Sequence, residues 1–371
     1  MKLIIAGGGT GGHLFPGIAV AEEFISRDSS NCVLFVGTRR GIEAHAVPAA
    51  GYPLEFVSAA GIRGKGVFGK LIGASLMLYG YAESRRIIKE FRPDAVLGVG
   101  GYASLPLLLA ARGIGVPSYI HEQNAIPGMT NRALSKVVDR VFITLEESSR
   151  FFPKEKTVLT GNPLRREIVD AGKAVEGEAG SMGEDFLDRL RFHLLVFGGS
   201  QGAHAINMAM IKAAPFLAPY RDMISIRHQT GKNDLEEVRG AYREHGIKAD
   251  VSGFITDMAL QYRKADLVIC RAGATTIAEV TACAKPALFI PFPHAVDDHQ
   301  RRNAEAMLKK DACMMLLEDE LSGELLSAMV TNLMHDRERL AAMADNAASL
   351  ASVDAAKRIV DLISGSEGGK G

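Results

Sequence analysis

The sequence predicts an α/β protein of two Rossmann-like domains, each on a parallel sheet, and three observations predict it. First, the apolar run Leu3-Ile4-Ile5-Ala6 leads into Gly7-Gly8-Gly9-Thr10-Gly11-Gly12-His13 and then a helix-like segment, Phe15 to Phe24. Strand, glycine turn and helix start together aim backbone N–H groups at an anion. Second, Leu194-Leu195-Val196-Phe197-Gly198-Gly199-Ser200-Gln201-Gly202-Ala203-His204 matches Leu3 to His13 position for position in type, and it too closes on a histidine. Third, 371 residues exceed one ordinary core, and short apolar runs alternate with helical patterns throughout.

The elements follow in order. Strands are expected at Lys2–Ala6, Cys32–Gly37, Leu54–Val57, Ala95–Val99, Ser118–His121, Arg140–Thr144 and Thr157–Leu159, with a long helix over Val67–Phe91. A second glycine turn, Gly98-Val99-Gly100-Gly101-Tyr102-Ala103-Ser104, follows the fourth strand, and such turns collect where doubly wound sheets bind ligands. Thr160-Gly161-Asn162-Pro163 punctuates the end of this half, and Ala171 to Glu184 reads as a surface insertion. The second half predicts strands at Phe192–Phe197, Ile224–His228, Ala249–Val251, Leu267–Cys270, Ala287–Ile290 and Cys313–Leu317, with helices at Thr276–Ala284 and His299–Lys309. Glu338 to Ile363 reads as two alanine-rich helices.

Composition narrows the class. Apolar residues make up 47%, ample for buried sheets, and 43 basic against 43 acidic residues give a net charge of zero. That balance argues against wholesale nucleic-acid binding. Cys32, Cys270, Cys283 and Cys313 form no C-x-x-C pair and read as buried thiols of a reducing cytosol. Met1-Lys2 runs straight into the first strand, so no secretory segment is expected. No apolar run reaches the ~18 residues that cross a bilayer, so the protein reads as soluble or peripheral.

Gly7-x-Gly9-x-x-Gly12 formally satisfies the dinucleotide fingerprint, which raises an NAD(P)-dependent oxidoreductase. That fold normally places an acid at the end of the second strand to hold the ribose, whereas here the strand ends Phe35-Val36-Gly37-Thr38. A turn serving packing alone explains one copy but poorly explains two that end in histidine.

Several further stretches are specific when taken together: Gly100-Gly101-Tyr102-Ala103-Ser104, His121-Glu122-Gln123-Asn124, Gly198-Gly199-Ser200-Gln201-Gly202-Ala203, Arg271-x-Gly273-Ala274 with Glu279, Pro291-Phe292-Pro293 and Asp298-His299-Gln300. With the first glycine turn they resemble the MurG family of peptidoglycan N-acetylglucosaminyltransferases, within glycosyltransferase family 28. The resemblance runs in order from about Met1 to Ser364, and only Ala171–Glu184 has no clear counterpart. It implies a GT-B fold, two Rossmann-like domains with parallel sheets facing across a cleft. Residues 1–164 would form the acceptor and membrane side and residues 165–349 the UDP-GlcNAc side. A last helix (about 350–364) would pack back on the first domain, and 365–371 would be a frayed tail.

The implied activity is inverting transfer of GlcNAc from UDP-GlcNAc to the 4-hydroxyl of MurNAc in undecaprenyl-pyrophosphoryl-MurNAc-pentapeptide, lipid I to lipid II. The implied place is the cytoplasmic face of the cell membrane, beside the cell-wall and division machinery, with no metal and no cofactor. The nearest alternative is a diacylglycerol-type lipid glycosyltransferase of the same fold. The His121-Glu122-Gln123-Asn124 and Gly100-Gly101-Tyr102 stretches weigh against it.

The residues bear on that chemistry independently. The chain has no D-x-D pair to present a cation to a diphosphate. Backbone amides at Ser200-Gln201-Gly202 and the helix N-terminus after them can stabilise departing UDP instead, worth about 1–2 kcal/mol beyond the direct hydrogen bonds. By resemblance Ser200 and Arg165 meet the diphosphate; the alternative for Arg165 is a solvated surface residue. Glu279 is expected on the first turn of the helix opened by Gly273-Ala274-Thr275-Thr276. There its carboxylate can accept both ribose hydroxyls, as the resemblance also implies, or Thr276-x-x-Glu279 can form a capping box. The resemblance assigns uracil to the backbone of Ile255 and the GlcNAc hydroxyls to Gln300. It also adds Thr10, Gly11, Gly12, Gln201, Arg271, Ala274, Thr275 and Thr276 to the donor set.

Displacement at the anomeric carbon needs a base for the acceptor hydroxyl, and an imidazole with an ordinary pKa of ~6.5 suits neutral pH. His13 leads, with binding of the acceptor's diphosphate as its rival role, and Glu122 is second. Tyr102, Ser104 and Asn124 would line the acceptor side by resemblance, Asn124 also reaching the donor. His204 reads as structural or phosphate-adjacent. Phe68, Leu71, Ile72, Leu76 and Tyr79 fall at helical spacing beside Arg63, Lys65 and Lys70. Such a stripe either docks on anionic lipid or packs on the sheet.

Overall fold

The computed structural model describes residues 1–59, 67–173, 190–199, 202–295 and 298–365, with backbone alone for 67–74. Its contacts gather the chain into two units, Met1–Arg166 with Ser352–Gly371, and Glu167–Ala351.

The first unit carries seven parallel strands: β1 (Lys2–Gly7), β2 (Cys32–Gly37), β3 (Leu54–Phe56), β4 (Ala95–Gly100), β5 (Ser118–Glu122), β6 (Arg140–Ile143) and β7 (Thr157–Leu159). Their order is β3-β2-β1-β4-β5-β6-β7, so the winding reverses between β1 and β4. The helices are α1 (Gly11–Arg27), α2 (Glu43–Ala49), α3 (Val67–Phe91), α4 (Ser104–Ile114) and α5 (Met129–Leu134). Leu3 and Ile5 face Leu14, Ile18 and Phe24 of α1, while Ile4 and Ala6 face Ile87, Ile88, Leu107 and Leu108 of α3 and α4. Both faces of β1 are therefore covered, which is why it reads as an unbroken apolar run.

The second unit repeats the plan with six parallel strands: β8 (Phe192–Phe197), β9 (Ile224–Gln229), β10 (Lys248–Ser252), β11 (Leu267–Cys270), β12 (Ala287–Phe289) and β13 (Met314–Met315). The order β10-β9-β8-β11-β12-β13 reverses between β8 and β11. After α6 (Arg166–Lys173), its helices are α7 (His204–Leu217), α8 (Leu235–Glu244), α9 (Met258–Lys264), α10 (Ala274–Ala282), α11 (His299–Leu308), α12 (Gly323–His335) and α13 (Arg337–Ser349). The chain then returns to the first unit as α14 (Ala355–Ile363), whose Ile359, Val360 and Ile363 join the core under α1. Each such side chain contributes about 1.5–3 kcal/mol by burial, and Arg27 adds an ion pair to Asp361 at 2.8 Å.

Of the four thiols expected to be buried, Cys270, Cys283 and Cys313 are, whereas Cys32, at the start of β2, is exposed. Several boundaries move. The first helix begins at Gly11, not Phe15, because first-turn N–H groups have no intrahelical partner and low-propensity glycines are tolerated there. The last strand shrinks from Cys313–Leu317 to Met314–Met315, an edge strand paired on one side. Ala171–Lys173, expected in the insertion, form the last turn of α6 with Ala171 buried; 174–184 lie outside the described residues.

Candidate functional site

In each unit the two glycine-bearing turns emerge at the carboxyl ends of the strands where the winding reverses, the usual ligand crevice of such sheets. In the first unit these are the turns after β1 and β4. Gly100 and Gly101 have φ of 101° and 84°, and a β-carbon at Gly101 would stand 2.5 Å from the Gly8 carbonyl oxygen. One at Gly100 would stand 2.6 Å from Cδ2 of His13. Only glycine lets the turns touch and the imidazole approach the chain this closely. His13 is half-buried in the first turn of α1, with Nδ1 3.2 Å from the Thr10 hydroxyl.

The acid missing from the end of β2 arrives from α2 instead. Glu43 is 1% exposed and accepts from Gly9 N at 2.7 Å and from the Thr38 amide and hydroxyl, both at 2.9 Å. β-Carbons at Gly8, Gly37 or Gly41 would run into its side chain. An internal carboxylate thus already takes an amide of the turn where a dinucleotide would place its pyrophosphate, which argues against the oxidoreductase reading. It also means that the first turn is not an empty anion cradle, as the motif alone suggests.

Two expected site residues are consumed by the scaffold. Ser104 is fully buried, with Oγ 2.9 Å from both the Ala6 and Gly100 carbonyls. It ties the two turns together and does not line an acceptor surface. Glu122 was a possible base, but its buried carboxylate is wrapped by four donors. Oε1 accepts from Asn124 N (3.0 Å) and Nδ2 (3.2 Å), and Oε2 accepts from Gly128 N (3.2 Å) and Asn131 Nδ2 (2.9 Å). Burial raises its pKa against the pull of those donors. Such a group shapes the 123–128 loop and presents Asn124; it has no lone pair directed at a substrate hydroxyl.

Beneath this loop His121 is buried and pushed down to about 4, chiefly by desolvation, with the Gly161 carbonyl opposing and His13 adding to the shift. Nε2 donates to Gly161 O at 3.0 Å and Nδ1 accepts from Gln123 Nε2 at 3.2 Å, which defines one neutral tautomer. Tyr102 is 57% exposed at the mouth of its turn. Arg165 is not a solvated surface residue: it is half-buried in the first unit, its guanidinium 4.9 Å over the Phe15 ring.

In the second unit the turn after β8 leads into α7, and Ser200 and Gln201 lie outside the described residues. Gln229, which sequence reasoning missed, bridges two loops: Nε2 donates to Gly199 O at 2.8 Å and Oε1 accepts from Ile255 N at 2.7 Å. The Ile255 N–H is thus committed inside the protein. His204 opens α7 with Nδ1 3.1 Å from Asp234. Asp234 also accepts from Asn207 at 2.7 Å. Asn207 Oδ1 in turn accepts from His228, whose pKa burial lowers to about 3.

Ala274, Thr275 and Thr276 form the first turn of α10 behind Gly273. Glu279 is the sixth residue of that helix, not on its first turn, and Thr276 is not the cap, so no capping box forms. The carboxylate instead accepts from the Tyr262 hydroxyl at 3.0 Å. Arg271, expected at the donor, is 9% exposed and spent on its own unit. It donates to the Ile290 and Pro291 carbonyls, both at 3.1 Å, and pairs with Glu318 at 2.6 Å. Its role is to hold the Pro291–Pro293 turn. Gln300 accepts from Phe292 N at 3.0 Å and steadies the same turn.

Of the expected membrane stripe, Arg63 and Lys65, and the side chains of Phe68, Lys70, Leu71 and Ile72, lie outside the described residues. Leu76 is half-buried, and Leu78 and Tyr79 are 74% and 64% exposed. No helix among the described residues is long and apolar enough to cross a membrane.

The glycosyltransferase family 28 N-terminal domain matches residues 3–143 and the family 28 C-terminal domain matches residues 193–359. The chain belongs to glycosyltransferase family 28. It is 63% identical to the UDP-N-acetylglucosamine--N-acetylmuramyl-(pentapeptide) pyrophosphoryl-undecaprenol N-acetylglucosamine transferase of Pelobacter propionicus, over 98% of this chain and 99% of that one. Identity to the Geobacter sulfurreducens enzyme of the same name is 60%, over 97% of each. The crystal structure of Acinetobacter baumannii MurG superposes with a TM-score of 0.76 at 31% identity, covering 98% of this chain and 99% of that one. A UDP-GlcNAc 2-epimerase from Neisseria meningitidis gives 0.68 at 14% identity over 98% and 100%, a likeness of fold alone. The His13 and Asn124 turns fall within the match to the N-terminal domain, and the Glu279 and Gln300 elements within the match to the C-terminal domain.

Proposed function

We propose that this chain transfers GlcNAc from UDP-GlcNAc to the 4-hydroxyl of MurNAc in undecaprenyl-pyrophosphoryl-MurNAc-pentapeptide, with inversion at the anomeric carbon. The observation that carries this reading is 63% identity, over 98% of the chain, to an enzyme whose name states that donor and acceptor.

His13 is the base. It takes the acceptor proton as the new C–O bond forms, and the bond to the UDP oxygen breaks with its electron pair leaving on UDP. Glu122, saturated by four donors, orders the loop that presents Asn124. On the donor, Glu279 meets the ribose, the Ile255 carbonyl meets the uracil imide N–H, and helix N-termini at His204 and Ala274 face the diphosphate. Helix dipoles favour the charge that develops there, and no metal takes part. The exposed Leu78 and Tyr79 suit contact with an anionic membrane surface at the cytoplasmic face.

Incubation with UDP-GlcNAc and a lipid I analogue tests the proposal. A β-linked disaccharide product is expected. Transfer to diacylglycerol without transfer to lipid I would overturn it in favour of the alternative acceptor.

A further inference from the structure

Glu279 does not stand alone. Tyr262, on α9, is fully buried and donates its hydroxyl to Glu279 Oε2 at 3.0 Å; Glu279 is 8% exposed. The phenol ring sits edge-on against Phe197, the last residue of β8, with centroids 6.1 Å apart and planes at 80°. Phe197 directly precedes the Gly198 turn, so one aromatic contact and one hydrogen bond link the β8 turn to the carboxylate of α10. Burial and the nearby carboxylate both raise the phenol's pKa well above 10, so it is a permanent donor.

A carboxylate that must accept two vicinal ribose hydroxyls needs a defined plane. A free Glu on a helix samples several rotamers, and ordering it on binding costs affinity. One oxygen anchored to a rigid, buried phenol removes that freedom in advance.

We propose that Tyr262 is a positioning residue for the donor: by fixing Glu279 it sets recognition of the ribose 2′-hydroxyl, and with it the preference for a ribonucleoside diphosphate over its 2′-deoxy counterpart. This rests on Glu279 being the ribose ligand.

Calorimetric titration of the full-length protein with UDP and with 2′-deoxy-UDP tests both layers. The wild type should favour UDP by about tenfold, the size of one charge-assisted hydrogen bond. Tyr262→Phe keeps the ring and its contact with Phe197. It should shrink that preference to about twofold, with a smaller loss for 2′-deoxy-UDP, which keeps the 3′-hydroxyl, and should raise KM for UDP-GlcNAc with kcat retained. Tyr262→Met, which keeps apolar bulk but no donor, should lose as much of the preference as Phe and stands in if the Phe variant does not fold.

An undiminished preference in Tyr262→Phe, with the preference lost in Glu279→Gln, overturns the positioning role alone. Equal losses for both nucleotides in Tyr262→Phe overturn it too, because they indicate packing. A preference that survives Glu279→Gln overturns the ribose assignment itself.

Discussion

Each unit keeps a neutral imidazole buried in its polar layer, and this makes the protein acid-sensitive in a calculable way. His121 is held to about 4 and His228 to about 3, against an ordinary 6.5, chiefly by desolvation. A histidine whose folded pKa is depressed binds fewer protons in the native than in the unfolded state. Its contribution is therefore complete above pH 6.5 and is lost as the pH falls toward the folded pKa. Each pH unit in that window costs about 1.36 kcal/mol per histidine, so lowering the pH from about 7.5 to about 5 removes roughly 2 kcal/mol from each unit. For domains of this size that is a fall in Tm of about 4–8 °C.

The two units should not respond equally. The raised pKa of Glu122 in the first unit acts in the opposite sense, since its native carboxylate takes up a proton more readily than the unfolded one. The second unit should therefore show the steeper loss. Differential scanning calorimetry across this pH range, on the wild type and on His228→Gln, checks the account. The variant should be less stable at neutral pH but flatter with acid. Parallel pH slopes in the two proteins would refute the assignment to His228.

Other outcomes follow from the same contacts. Glu43→Ala orphans the Gly9 amide and the Thr38 amide and hydroxyl. At about 1–3 kcal/mol per orphaned group, the denaturation midpoint of the first unit should fall, and an unmoved midpoint would show that the turn holds its shape unaided. His13→Ala should cut transfer by about 10²–10⁴ while calorimetry finds UDP binding intact; normal turnover would remove it as the base. Glu122→Gln should raise the acceptor KM more than it lowers kcat, whereas a loss of kcat as deep as that of His13→Ala would restore Glu122 as the base. EDTA should leave the rate unchanged, and a loss reversed by Mg²⁺ would contradict stabilisation by amides and helix dipoles.

Much of the fold was legible in the chain itself. Strands buried on both faces, such as Leu3–Ala6 and Leu194–Phe197, appear as short apolar runs whatever their neighbours. Gly8, Gly9, Gly100 and Gly101 appear as glycine because their positive φ is a backbone that side chains rarely adopt, and the order of motifs was enough to point to the family.

The tertiary structure decided which polar groups are available to a substrate. Ser104, Glu122 and Arg271 carry the right chemistry by type, yet partners supplied by the fold already occupy them. Conversely Glu43, Gln229 and Tyr262 carry no motif and act through partners 34, 26 and 17 residues away. The physical reason is that backbone preference is local, whereas the free lone pairs of a side chain depend on which strands the winding brings together. A motif states what a residue can do; the neighbours that satisfy it in the folded chain settle what it is still able to do.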